Sequence, residues 1–165
     1  MKKQNGFTLI EILISISIFS IVILFLHKTL DMTQKSNAFY SEKLKDKKEQ
    51  NNLKKMFFLD LIQKKSSLFK SIEDKEKNSI VKFKTTNTYR NPFFQNITYM
   101  VSKEKNLLRI ESKDEFDTKK LNDAFFKNSY IDIVDNNITK FKVKKQKDKV
   151  LFYILKENQK ILYSF

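Results

Sequence analysis

The sequence predicts an α+β protein. A long N-terminal helix spans a membrane with its first part and packs its distal half on an antiparallel β-sheet domain. An apolar run extends from Gly6 to Leu26, and about twenty helical residues match the roughly 30 Å of a bilayer's hydrocarbon core. Apolar residues then recur at helical spacing between Leu53 and Leu68. After Ser79 they recur at every second position, which is typical of strands. A helix followed by strands favours an α+β architecture.

Glu11 is the one charged residue of the apolar run. A carboxylate within a membrane costs on the order of 2.5–3.5 kcal/mol, so an intramembrane acid is by default a functional residue. The run follows a short basic leader, residues 1–6, and no small-residue cleavage motif of a secretory signal follows Leu26. The small residue here is Gly6, before the run, where the absence of a side chain lets an extended backbone fit closely into a protease.

The segment from Gly6 to Glu11, ahead of a long apolar run, resembles the class III signal of type IV prepilins and type II secretion pseudopilins. The resemblance implies that a prepilin peptidase removes residues 1–6 by cutting between Gly6 and Phe7. It also implies N-methylation of Phe7 and retention of residues 7–26 as membrane anchor and assembly helix. Glu11 would then pair with the new amino group of Phe7, either its own or that of a neighbouring subunit, and so set the axial register of a filament.

Residues 27–52 are predicted to continue the helix as a polar neck, since residues 27–49 contain no Pro or Gly and few apolar residues. A helix this polar buries little and stays open to partner helices. The following apolar stripe predicts a helix that docks on the sheet and ends near residues 70–77, where residues 73–78 are predicted to form a charged loop. The members of this stripe are Leu53, Met56, Phe57, Leu61 and Leu68.

The chain from residue 53 to 165 is expected to form one domain, which its length supports. Alternation predicts a strand at residues 80–85, with Val81, Phe83 and Thr85 on one face, and another strand at residues 141–144. Hairpins are predicted for residues 97–111 and 150–165, and a short helix for residues 123–126, whereas residues 129–136 fit no single pattern. Because the chain has one Gly and one Pro, its turns must use Asn, Asp, Lys and Ser.

The formal net charge of +14 raises the question of an anionic partner such as nucleic acid. Nearly all the basic residues are lysines, with Arg90 and Arg109 the only arginines, and the lysines are dispersed among acidic residues. Recognition of phosphate favours bidentate arginine. A solvated lysine-rich surface is therefore the preferred interpretation, and nucleic acid stays open as a partner.

The composition offers little for catalysis. The chain has no cysteine and a single histidine, which excludes a thiol nucleophile and a zinc-protease motif. His27, at the end of the apolar run, is interpreted as an interfacial anchor. The acids of residues 114–117 suggest calcium, but the spacing and glycine of an EF-hand loop are missing. We expect no enzymatic activity, no cofactor and no metal.

A second resemblance concerns the J-type minor pseudopilins of type II secretion, which have a Leu- and Asp-containing distal helix and a two-part β domain. Here residues 59–62, 97–101 and 107–109 carry it. It implies a minor subunit that primes or caps a periplasmic filament. The alternatives are a competence pseudopilin that serves DNA uptake and a minor pilin of a type IV pilus. The implied partners are other pseudopilins or pilins, the prepilin peptidase and inner-membrane lipid. The implied location is the inner membrane, single-pass, with the C-terminal domain in the periplasm.

Overall fold

A computed structural model describes residues 8–65, 69–118, 123–147, 149–157 and 159–165 of the chain. One helix, α1, runs from Leu9 to Ile62 without interruption, so the predicted helical neck is confirmed. The chain divides into two compact units, one ending at Glu49 and the other running from Gln50 to Phe165. Each is described by itself.

The described residues of the first unit are helical from Leu9 onward, and their side chains are exposed. By length and composition α1 is able to cross a membrane. Its hydroxyl groups are satisfied within the helix. Ser15 Oγ donates to the Glu11 carbonyl at 2.8 Å, Ser17 Oγ to the Leu13 carbonyl at 2.9 Å and Ser20 Oγ to the Ile16 carbonyl at 2.8 Å. These side chains therefore bring no unsatisfied donor into an apolar surrounding.

The second unit contains the last turns of α1, two antiparallel sheets and a short helix. The five-stranded sheet has the order β1-β2-β3-β4-β5, and the three-stranded sheet has the order β6-β7-β8. The strands are β1 Lys70–Glu73, β2 Ser79–Lys84, β3 Asn96–Val101, β4 Leu107–Ser112, β5 Ser129–Asp135, β6 Ile138–Gln146, β7 Lys149–Lys156 and β8 Gln159–Ser164, and helix α2 is Asp123–Lys127. The α+β prediction is confirmed.

The main core lies where the last turns of α1 meet both sheets. Phe57 is fully buried, stacks on Phe152 of β7 with ring centroids 4.3 Å apart, and meets Tyr99 of β3 edge to face at 5.0 Å. Leu53 is buried in the same cluster. The predicted apolar stripe thus docks the helix on the sheets, and aromatic pairs of this geometry contribute about 0.5–1.5 kcal/mol beyond area burial.

The predicted end of the helix was wrong. Helix α1 ends at Ile62, and residues 70–73 form strand β1 instead of helix or loop. The cause is a tertiary pairing: Lys64 forms a bridge with Thr85, and the Lys65 N–H donates to the Lys84 carbonyl at 2.8 Å. The backbone groups that would continue the helix therefore bond to the segment at the end of β2. Leu68, the last predicted member of the stripe, lies outside the described residues.

The strand predictions are confirmed, with additions. Val81, Phe83 and Thr85 are buried on one face as expected, and Ile80 is buried on the other face with Ile110. The two hairpins and the short helix form, and the ambiguous residues after it become β5. The turns place four residues at positive φ, with angles between 48° and 60°: Lys77, Lys105, Asn137 and Lys147. Such angles normally favour glycine, and they show how a chain with one glycine builds its turns.

Candidate functional site

Helix α1 begins with a capping arrangement that involves Glu11. The Thr8 carbonyl accepts the Glu11 N–H at 3.1 Å. In return Glu11 Oε2 accepts the Thr8 N–H at 2.8 Å and the Thr8 Oγ1 hydroxyl at 2.9 Å. The Thr-x-x-Glu spacing is that of a capping box, which satisfies donors that a helix N-terminus leaves free. The negative charge of Glu11 also lies at the positive end of the helix dipole.

Of the three predicted site residues, the structure describes one. Gly6 and Phe7 lie outside the described residues, and Glu11 lies in the first turn of α1. Within the part of the chain that the structure describes, Glu11 Oε1 receives no hydrogen bond, whereas Oε2 receives both from Thr8. One carboxylate oxygen therefore stays open to a cation. The sequence analysis missed Thr8, although its spacing of three residues from Glu11 indicated a capping box.

A second polar site, fully buried, lies where α1 meets the five-stranded sheet. Arg109 of β4 binds Asp60 of α1 through two bonds, Nε to Oδ2 at 2.8 Å and Nη2 to Oδ1 at 2.9 Å. The Nη1 group of Arg109 also donates to Glu111. All three side chains are inaccessible to solvent. A bidentate pair of this kind couples a helix to a sheet with fixed geometry.

Neighbouring groups complete the hydrogen bonds of this ionic cluster, which we define as Asp60, Arg109 and Glu111. The Tyr99 hydroxyl donates to Asp60 Oδ2 at 2.5 Å, and Asn87 Nδ2 donates to Asp60 Oδ1 at 2.6 Å. No buried side-chain polar atom of the described residues lacks a partner. A buried ion pair is tolerable only when its remaining hydrogen-bonding capacity is satisfied in this way.

The ionic cluster also fixes the loop between β2 and β3. Glu111 accepts the N–H of Tyr89 at 2.8 Å and that of Arg90 at 3.2 Å. Arg109 donates to the Asn87 carbonyl at 2.8 Å, and its guanidinium lies 4.3 Å from the centroid of the Tyr89 ring. Burial acts to lower the pKa of Arg109. Its hydrogen bonds to Asp60 and the nearby acidic groups outweigh burial and raise that pKa above the ordinary value.

Sequence reasoning found the cluster's segments but not the cluster. Asp60 was noted only within the second resemblance, Arg109 was noted there and as one of the two arginines, and nothing linked the two residues. In each case the local signal was a charged residue inside an apolar segment. Asp60 lies among Leu59, Leu61 and Ile62, and Arg109 lies between Leu108 and Ile110. Charged residues in such positions are almost never buried unless paired, so each one predicted a partner.

Two buried tyrosines of this domain are expected to make its stability sensitive to alkaline pH. Burial, followed by the charge of Asp60, raises the pKa of Tyr99 well above its ordinary 10.0, and burial raises the pKa of Tyr163 to about 12. A tyrosine whose pKa is raised in the folded state stabilises the fold below pH 10, and this stability is lost as the pH rises from about 10 towards 12 and beyond.

We expect Tyr99→Phe to make the free energy of unfolding fall less steeply over that pH range, measured by urea titrations at several pH values. Tyr130→Phe, at a side chain 42% exposed, is the control and should reproduce the wild-type curve. Equal slopes in wild type and Tyr99→Phe would contradict the assignment.

The remaining candidates are separate from both sites. His27 lies on the exposed surface of α1. Glu115, in the segment considered for calcium, pairs with Lys70 at 3.2 Å, and the adjacent Phe116 is buried against Phe125. In the described ranges no group of three or more His, Cys, Asp or Glu residues is placed to hold a metal ion.

Comparison with known proteins gives one result, at the N-terminus. Residues 1–26 match the family model described as the prokaryotic N-terminal methylation motif. No curated protein and no solved structure matches the chain. The motif covers the basic leader, Gly6, Phe7, the capped helix start with Glu11 and the apolar run, and it implies processing by a prepilin peptidase and assembly with other pilins. Helix α1, which begins within the motif, fits a single-pass membrane anchor. The motif and this helix show that the chain begins with a type IV prepilin-like N-terminal segment.

Proposed function

We propose that the protein is a minor pseudopilin- or pilin-like subunit that primes or caps a periplasmic filament of a type II secretion-like machine. The observation that carries the proposal is the methylation motif at residues 1–26, whose apolar part forms the exposed start of α1 and contains Glu11 as its one charged residue. The division of the β domain into a five-stranded and a three-stranded sheet supports a J-type subunit. The role is structural and non-catalytic.

Assembly is proposed to use the open oxygen of Glu11. Cleavage after Gly6 would expose the cationic amine of Phe7, and Glu11 Oε2 is already held by Thr8. Oε1 would accept the amine of a neighbouring subunit. Pairing would neutralise two charges that otherwise oppose packing in an apolar surrounding. Only one axial offset between helices brings the two groups together, so the pair would fix the register.

The proposed placement follows from the anchor. Residues 7–26 would lie in the inner membrane, with the leader on the cytoplasmic side and the compact unit from Gln50 onward in the periplasm. Long domains translocate largely regardless of their charge, so the many lysines of the domain do not oppose this topology. Sister subunits, the prepilin peptidase and inner-membrane lipid are the proposed partners.

Glu11→Gln tests the assembly step. Loss of a charged hydrogen-bond partner costs about 1.5–3 kcal/mol, so crosslinking to sister subunits should fall roughly ten- to hundredfold. Expression, membrane insertion and leader cleavage should stay at wild-type levels. The matched control is Glu42→Gln, an exposed acid further along α1, which should assemble normally. Wild-type crosslinking and transport in Glu11→Gln would show that Glu11 is incidental.

A DNA-uptake role is the second candidate, and one observation favours it. The outer face of the three-stranded sheet carries lysines on both sides of Tyr153, with Lys142 directly opposite it and Lys160 Nζ 5.5 Å from its ring centroid. A basic surface with an aromatic centre suits single-stranded nucleic acid. However, Lys142 is held by Glu73 at 2.5 Å, and this hydrogen bond lowers the pKa of the Glu73 carboxyl. Steep salt dependence of oligonucleotide binding, lost in Tyr153→Ala, would favour this role over a structural one.

A further inference from the structure

Strand β5 forms one edge of the five-stranded sheet. It runs from Ser129 to Asp135 and pairs with β4 from Ser112 opposite Ser129 to Leu107 opposite Asp135, with a register shift between Leu107 and Leu108. Among the described ranges, β4 is its only strand partner and β5 is the last strand in the order of the sheet. The outer side of such a strand presents a row of N–H and C=O groups that can pair with another chain.

The edge is apolar as well as open. Ile131 and Ile133 lie on the same face, opposite Ile110 and Leu108 of β4, and are 45% and 60% exposed. Alternate isoleucines on one face of an edge strand offer contacts to the alternate side chains of an added strand.

The one usual edge protection that β5 has is the register shift near Asp135, and the others are missing from it. It contains no Lys, Arg, Pro or Gly, the residues that commonly discourage pairing at a sheet edge. Its two acids are neutralised from within the domain. Arg90 Nη2 binds Asp132 Oδ1 at 3.0 Å, and Lys156 binds Asp135. The edge therefore carries no unpaired charge that an incoming strand would have to match.

The other edges of the two sheets are shielded. On β6, the N–H of Phe141 donates to Asn78 Oδ1 at 3.0 Å, and the N–H of Val143 donates to Ser79 Oγ at 2.9 Å. Strand β1 has four residues, the first and last of them charged. Strand β8 carries an exposed lysine, Lys160. The contrast singles out β5 among the described strands.

Strand β5 is also fixed in place before any partner binds. The Tyr130 ring packs on Phe94 with centroids 5.4 Å apart, and Arg90, which binds Asp132, has its own N–H held by Glu111 of the ionic cluster. A partner that adds to a rigid edge does not have to order it, which lowers the entropic cost of binding.

We propose that the free edge of β5 accepts an extended segment of a partner protein as an additional antiparallel or parallel strand, with apolar residues at alternate positions facing Ile131 and Ile133. A second copy of the chain fits less well. Each copy carries a net charge of +14, so two copies repel one another. The proposal concerns only the β domain and does not depend on the role of Glu11.

Hydrogen exchange on the full chain in nanodiscs of zwitterionic lipid tests the proposal. The probe is a capped nine-residue peptide that alternates valine and threonine. Its control is the same peptide with N-methyl groups at alternate residues, which keeps the side chains and removes one row of donors. The unmethylated peptide should slow exchange of the outward β5 amides at least tenfold, and the methylated peptide should not.

A matched pair of variants completes the test. Ile133→Lys should weaken peptide binding at least tenfold, and Leu162→Lys, at a side chain 63% exposed on β8, should change it less than twofold. Exchange of the β3 and β4 amides reports whether each variant is folded. If Ile133→Lys is not folded, the comparison of the methylated and unmethylated peptides on the wild-type chain tests the proposal instead. Equal effects of the two peptides or of the two folded variants would overturn the proposal. The proposal would also be overturned if about 1 mM peptide gave the β5 amides no protection. Protection of β5 that rises with protein concentration in the absence of peptide would overturn it as well, because it would indicate self-association.

Discussion

Arg109→Met is expected to lower the free energy of unfolding by about 3–5 kcal/mol, because it leaves Asp60 and Glu111 buried without their cation. Methionine keeps the length and most of the volume of the side chain, so the effect reports charge and hydrogen bonding more than a cavity. Urea unfolding of the full chain in detergent, followed by near-ultraviolet circular dichroism of the tyrosines, measures it. The loop held by Arg109 and Glu111 should also lose protection from hydrogen exchange.

Arg90→Met is the matched control. Arg90 is the other arginine of the chain, and its side chain is 58% exposed in a 3.0 Å pair with Asp132. Exposed ion pairs contribute about 0–1 kcal/mol, so this variant should unfold close to wild type. If both arginine variants lose the same stability, the buried cluster does not join α1 to the sheet in the way described here.

Gly6→Leu should abolish removal of the leader. A peptidase that binds an extended backbone closely at this position has no room for a branched side chain. The apolar run that inserts in the membrane is unchanged, so the uncut protein should still be found in the membrane fraction. Co-expression with a prepilin peptidase, followed by intact-mass measurement of the membrane protein, gives the result.

The control for processing is Asn5→Leu, the same new side chain one residue earlier. This variant should be cut as the wild type is, since only the residue at the cleavage position is expected to be restricted. A Gly6→Leu protein that is cut at the wild-type rate would show that Gly6 does not specify the site.

Most of the strands were predictable because their information is local. Alternation placed Val81 and Phe83 in the core, and helical spacing placed Leu53 and Phe57 there. The end of α1 was not predictable in this way. The Lys65 N–H bonds to Lys84, and a pairing between distant segments overrides helical periodicity without leaving a local pattern.

The same distinction applies to the sites. Glu11 was found because a single charge in an apolar run is visible in the sequence, and its spacing to Thr8 was equally visible but was overlooked. Asp60 and Arg109 are 49 residues apart, and only the packing of α1 on the sheet brings them together. One sequence shows that each buried charge requires a partner, but it does not show which residue the partner is.

The mass of the N-terminal peptide of the mature membrane protein shows directly whether the chain is processed as a prepilin. The protein should be produced with a prepilin peptidase and isolated from the membrane before digestion. The peptide is expected to begin at Phe7 and to carry one added methyl group on its amino nitrogen, as the match of residues 1–26 to the methylation motif implies. A peptide that begins at Met1, or a chain that begins after Leu26, would contradict this expectation.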